Sequence, residues 1–184
     1  MATAERRRGR PPQLSKKQIV AAVSAGHNVD ELTMRELASR LGVGHSALYR
    51  WVRNRDELFD LLGAEVVDRV LSDAGAVTGD WRADLRRIAR AMHVRILAVP
   101  GYATHLTRPH PHDAHATDRL RSAVIDLFVA GGIGHEAARR SWYITVTGVI
   151  GWLAFQEQPH HLGASAPTFD TYLEVLVRGL PADD

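Results

Sequence analysis

Apolar residues recur every three or four positions along most of the chain, and no segment alternates in the manner of a strand. Ile19, Val20 and Val23 share one face of a first short helix, with Ser15 placed to cap it and Gly26 and Asn28 to stop it. Thr33-Met34-Arg35-Glu36 is a capping box: each end side chain can satisfy a free backbone N–H at the start of a second helix. Met34, Leu37, Ala38 and Leu41 then follow at helical spacing, and Gly42 ends the run. Val43-Gly44 fills a tight turn before a third short helix, from about His45 to Val52. Asn54-Arg55-Asp56-Glu57 repeats the box pattern and opens a fourth helix carrying Leu58, Leu61, Leu62, Val66, Val70 and Leu71, long enough to join two domains.

The pattern stays helical beyond Gly79. Leu85, Ile88, Met92 and Ile96 mark a helix from about Asp80 to Val99, broken by Pro100-Gly101. A short helix follows over Tyr102 to Thr107, and Pro109 and Pro111 make 108–113 a loop. Leu120, Val124, Leu127 and Phe128 mark a helix from about His115 to Ala130, closed by Gly131, Gly132 and Gly134. The next, from about His135 to Gln156, is apolar nearly all round between Trp142 and Phe155, so it must be covered on two sides. Residues 159–167 form a loop, and a last helix spans about Phe169 to Leu180. The expected fold is all-α with about nine helices: a basic arm over 1–12, a three-helix head over 13–60 and a helical body over 61–184.

Charge sharpens this division. The net charge of +2 conceals a balance of +4 over residues 1–60, with 11 Lys and Arg against 7 Asp and Glu, and −2 over residues 61–184, with 12 against 14. A basic head on a near-neutral body suits a polyanionic partner. The arm, with Arg6, Arg7, Arg8 and Arg10 before Pro11-Pro12, reads either as an extension along DNA or as a solvated tail. There is no cysteine, which excludes disulfides and Cys-based zinc sites and is compatible with the expected cytoplasmic location. No apolar stretch follows the arginines as in a signal peptide. The charge-free run from Ser141 to Gln156 is too short to span a bilayer comfortably and carries Thr145 and Thr147.

A capped helix, a glycine turn and a short second helix make a helix-turn-helix, whose second helix enters the major groove and must carry polar and aromatic residues outward around an apolar anchor. In His45-Ser46-Ala47-Leu48-Tyr49-Arg50-Trp51, Leu48 can anchor while His45, Ser46 and Tyr49 face DNA, and Thr33 and Arg35 stand where a helix start meets phosphate. The same pattern alone would also serve a purely structural helical hairpin. Residues 15–62 resemble the DNA-binding head of the tetracycline-repressor (TetR) family. The resemblance rests on Leu32-Thr33-Met34-Arg35-Glu36-Leu37-Ala38, Leu41-Gly42-Val43, Ala47-Leu48-Tyr49 and Val52-Arg53-Asn54-Arg55-Asp56-Glu57-Leu58. It implies a homodimer in which Thr33, Arg35, His45, Ser46 and Tyr49 meet DNA, Tyr49 on phosphate, with Arg55 against the backbone; Arg50 and Trp51 would touch DNA or flank it. The interval from Ile19 to Leu32 is about a turn shorter than the family's habit, so the first helix should be short or its link to Thr33 tight.

In the body the resemblance is scattered: Trp81, the segment from His105 to Pro109, and the Gly-containing apolar helix that ends near Glu157. It implies a small-molecule site between helices and a dimer interface built from the last two long helices, with Gly148 and Gly151 allowing close approach. Candidate pocket residues are Met92, His93, Ile96, Tyr102, His105, Phe128, Trp142, Thr145 and Trp152, any of which could equally be core. His105, His110, His112, His115 and the pair His160-His161 raise metal sensing as an alternative to exposed loop histidines, and no metal or cofactor is expected. HExxH, GxSxG, phosphate-loop and cysteine-nucleophile motifs are absent. The expected function is therefore that of a homodimeric repressor released from a palindromic operator by a small-molecule effector. A DNA-binding protein without effector and an enzyme using the helical pocket stand as the alternatives.

Overall fold

The computed structural model describes residues 14–25, 28–108, 114–158 and 166–181. The arm with Arg6, Arg7, Arg8 and Arg10, and the loop residues His110, His112, His160 and His161, lie outside them. Among the described residues the chain is all-helical, with nine helices and no strand. They are α1 (Lys16–Ser24), α2 (Met34–Arg40), α3 (His45–Tyr49), α4 (Arg55–Ala74), α5 (Trp81–Leu97), α6 (Tyr102–Leu106), α7 (Ala114–Ala130), α8 (His135–Glu157) and α9 (Phe169–Arg178).

Local chemistry sets the helix starts. The α1 box closes with Gln18 N–H donating to Ser15 Oγ (3.3 Å) and Ser15 N–H to Gln18 Oε1 (2.9 Å). The α2 box closes likewise between Thr33 and Glu36 (3.2 and 2.8 Å). At α4 the expected box is only half made. Asn54 Oδ1 accepts from Glu57 N–H (2.8 Å), but the Glu57 carboxylate turns to the Arg53 N–H (2.7 Å) and guanidinium instead. Arg53 offers two donors where the Asn54 backbone offers one. α3 is shorter than its sequence pattern suggests: it ends at Tyr49, and Arg50 to Val52 continue as a turn that bonds back to Leu48 O.

Ile19, Val23, Leu37 and Leu48 form the fully buried centre of the head. At about 1.5 Å per residue, α4 is roughly 30 Å long. It packs on α1 in the head and on α5 and α7 in the body, and its buried row continues one apolar cluster from Ile19 to Leu180. Trp81 at the start of α5 tilts against Phe128 of α7 (ring centroids 5.1 Å), and Gly131 leaves no room there for a Cβ, which would stand 2.6 Å from the indole.

α8 is covered by α5, α6 and α7, with Tyr172 of α9 against Gly148 and Trp152. Trp142, Thr145, Val149 and Leu153 point inward, whereas Tyr143, Ile144, Thr147, Gly151 and Phe155 are exposed. Tyr143 is 68% exposed, and Val175 on α9 is 66% exposed. The second cover that the apolar pattern requires is not supplied within the described chain. Gly148 admits the Tyr172 hydroxyl of α9, 2.3 Å from where a Cβ would stand, while Gly151 faces open space. No helix among the described residues is long and apolar enough to cross a membrane.

Candidate nucleic-acid interface and body cavity

Gly42, at φ +63°, makes the left-handed turn that ends α2, and the Val43 N–H closes it on Ala38 O (3.1 Å). α3 is thereby presented with Leu48 fully buried beneath it. His45, Ser46, Tyr49, Arg50 and Trp51 are all exposed around that anchor, as are Thr33 and Arg35 at the start of α2. Tyr49 and Trp51 are 38% and 41% exposed, high for large aromatic side chains. His45 meets Tyr49 edge-on (4.6 Å), one turn along α3, which orders both rings on the outer face. The Thr33 hydroxyl is engaged by Glu36 (2.8 Å), so its part in the surface is first of all to fix where α2 begins. Arg35 and Arg50 stand on the surface with no ion pair among the described residues.

Arg55 makes contacts within the head. Its guanidinium is turned back under the head, where it donates to Leu32 O and Val29 O and lies 5.1 Å over the Phe59 ring. The carbonyls of the short link between α1 and α2 need donors, and Arg55 supplies them.

The same link is fastened to the body. Val29 N–H donates to Pro100 O (2.8 Å), and Arg108 forks onto Asp30 (2.7 and 3.0 Å). Gly101, at φ +81°, sits so close to Asn28 that a Cβ would lie 2.0 Å from its Oδ1. The His105 ring stacks on Phe59 (3.6 Å) with Nδ1 3.9 Å from Asp30 Oδ1. Glu157, at the end of α8, holds the start of α6 from the other side by accepting from the Ala103 and Thr104 N–H groups (3.3 and 2.8 Å).

Directly behind Phe59 the body encloses a cavity of about 340 Å³ between α4, α5, α6, α7 and α8. Met92, Ile96, Tyr102 and Trp142 line it. The other five candidate pocket residues are not among those that line it. His93 stacks on Phe169 (4.4 Å) and Trp152 on Tyr172 (4.6 Å), Phe128 is fully buried against Trp81, Thr145 is buried on α8, and His105 belongs to the contact with the head. The sequence reading missed the α4 wall: Phe59, Asp60, Gly63, Val66, Val67 and Val70. Their spacing at i, i+4, i+7, i+8 and i+11 was the available signal, hidden because this wall lies beside that helix's buried row. Gly63 makes room for the Tyr102 hydroxyl, 3.1 Å from where its Cβ would stand. Burial pushes the Tyr102 phenol far up, and the negative charge of Asp60 adds to the shift, so the hydroxyl is un-ionised and a donor. No group of three or more metal-ligating side chains occurs among the described residues.

No family model matches the chain. Among curated proteins it is similar to an HTH-type transcriptional repressor of Streptomyces coeruleorubidus, 35% identical over 86 residues, covering 45% of this chain and 32% of the relative. It is also similar to the class A tetracycline repressor protein of transposon 1721 from Escherichia coli, 32% identical over 125 residues, covering 66% and 58%. The chain thus spans from a third to just over half the length of these relatives. Among solved structures it matches a protein of Streptomyces coelicolor A3(2) described as a possible TetR family transcriptional regulator, with a TM-score of 0.67 and 26% identity over 89% of each chain. Two further structures share the fold at lower identity. ActR of S. coelicolor in complex with (S)-DNPA matches at TM-score 0.70 and 24% identity over 91% of this chain and 96% of ActR. BioQ with its double-stranded DNA operator matches at 0.69 and 22% over 93% and 100%.

Proposed function

We propose that the chain is a helix-turn-helix regulator of the TetR kind: a homodimeric, sequence-specific DNA-binding repressor released from a palindromic operator by a small molecule. One observation carries the reading: an exposed reading helix and an apolar cavity are joined by a single side-chain path. Phe59 lines the cavity, stacks on His105, and through Asp30 and Arg108 adjoins the link that holds α2 and α3. The relatives' names support regulation rather than catalysis, and ActR and BioQ carry a small molecule and operator DNA on this fold.

In this reading His45 and Ser46 read base edges, while Tyr49, Arg35 and Thr33 hold phosphates. Arg50 and Trp51 flank the groove, and the arginine arm adds sequence-independent attraction. The exposed faces of α8 and α9 pair two subunits, which sets the reading helices about one DNA turn apart. A molecule that fills the cavity pushes on Phe59 and Tyr102, loosens α6 against the head and re-aims α4. A tenfold preference of the effector for the loosened state supplies about 1.4 kcal/mol of bias.

Selection of bound DNA from a random-sequence pool, at physiological salt, tests the proposal. A short inverted repeat is the expected product. Recovery of no preferred sequence, with only salt-sensitive binding, would remove the specific-regulator reading.

A further inference from the structure

Building on the reading of the cavity as an effector site, we infer that its effector is a hydrophobic molecule carrying a positive charge, seated with its cationic group at Asp60 and its apolar body against Trp142. Among the described residues the wall holds one charged side chain, the Asp60 carboxylate on α4, and no lysine, arginine or histidine. An anionic ligand would bring its charge into an apolar space with no basic group to meet it and a carboxylate already there, an arrangement that low-dielectric surroundings penalise. A cationic one meets the carboxylate and a wall that includes the aromatic side chains of Tyr102, Trp142 and Tyr143, of a kind that attracts positive charge. Asp60 already has a contact of its own. A carboxylate offers about four lone-pair directions, so a ligand ammonium can join that contact. The volume, about 340 Å³, lies at the small end of the range for small-molecule sites.

The position of Asp60 also gives the charge an effect. It follows Phe59 in the first turns of α4, and Phe59 carries the Arg55 guanidinium on its ring and His105 stacked against it. A second positive charge placed there opposes Arg55, the residue that closes the link between α1 and α2. A neutral ligand of the same shape lacks that effect.

Calorimetry on the full chain with three probes of one skeleton tests the inference: 1-naphthylmethylamine, 1-naphthylmethanol and 1-naphthoate at neutral pH. The amine should bind about tenfold or more tightly than the alcohol, and the naphthoate most weakly. Asp60→Asn should lower the amine to the alcohol's affinity and leave the alcohol unchanged, while Asp60→Glu should keep the preference. Naphthoate binding as tightly as the amine, or an Asp60→Asn protein that still prefers the amine, would overturn the inference. If all three bind equally and Trp142→Ala weakens all three, the charge assignment fails and the cavity reading survives. Binding of none of them takes down both.

Discussion

Arg55 ties the start of α4 to the link between α1 and α2. Two carbonyls, Val29 O and Leu32 O, depend on its guanidinium. Truncation leaves both without that donor and removes the cation over Phe59, so Arg55→Ala should cost about 2–3 kcal/mol in thermal or denaturant unfolding, the usual range for hydrogen bonds to a charged group. A residue serving only DNA would leave unfolding unchanged when removed. Tyr49 and His45 make the converse case, since their rings are exposed and touch each other rather than the core. Tyr49→Ala should weaken binding to every DNA sequence alike, because a phosphate contact carries no base information, and His45→Ala should change which sequence is selected. Equal loss across sequences for both variants would place both residues on phosphate. Asp84 gives a pH test. Burial raises its pKa, but the Thr78 hydroxyl and N–H and the Arg87 guanidinium outweigh burial and hold it below the usual carboxylate range. A carboxylate depressed in the folded state contributes stability that is present above its unfolded pKa and is lost as pH falls through the folded one. Thr78→Val should therefore flatten the fall of stability with acid below about pH 4, and an unchanged profile of melting temperature against pH would remove Asp84 from that fall.

At the scale of elements, the helices that announce their own ends were legible in sequence. Ser15, Thr33 and Asn54 each precede a helix and accept from its first turn, because a cap is decided within four residues; Asp80 and Thr168 do the same for α5 and α9 without having been singled out. The end of α3 and the second half of the α4 box were not, since each depends on a competitor, Leu48 O in one case and Arg53 in the other. The cavity was half legible. Met92, Ile96, Tyr102 and Trp142 were singled out and do line it, whereas the α4 wall lies beside that helix's buried row, and a periodicity cannot say which face meets a void. The contact between head and body was invisible, because residues 28–30 and 100–108 meet only after both ends of α4 have been placed. Pro100-Gly101 looked like a helix breaker and is also a docking point. Ala at position 101 faces an unfavourable φ and a clash with Asn28, so Gly101→Ala should separate the Val29 N–H from Pro100 O and lower the unfolding free energy by about 2 kcal/mol or more. Hydrogen exchange should find the Val29 amide deprotected in that variant, and continued protection there would mean that the contact re-forms around the methyl group.

For the whole molecule the unresolved demand is the outer face of α8. A 23-residue helix that exposes Tyr143, Ile144 and Phe155, beside an exposed Val175 on α9, leaves apolar surface where a lone subunit gains nothing from it. Pairing two such faces around a two-fold axis makes the patch self-complementary, which is the commonest way for a soluble chain to cover one. Gly151, with open space before it, allows the two copies of α8 to cross closely. Under the proposed function such pairing would have a consequence, because a single reading helix grips too few base pairs to be selective and two held rigidly apart multiply their preferences. Ile144→Glu combined with Val175→Glu should bury unpaired carboxylates in the joined state and leave each subunit intact. Sedimentation equilibrium should then report a monomer with unchanged helix content. DNA selected by the parent protein as an inverted repeat should be bound by the variant no better than its isolated half. A double variant that remains a dimer would place the interface elsewhere. One that becomes a monomer yet still distinguishes the full repeat from its half would show that DNA, rather than α8 and α9, brings the two heads together.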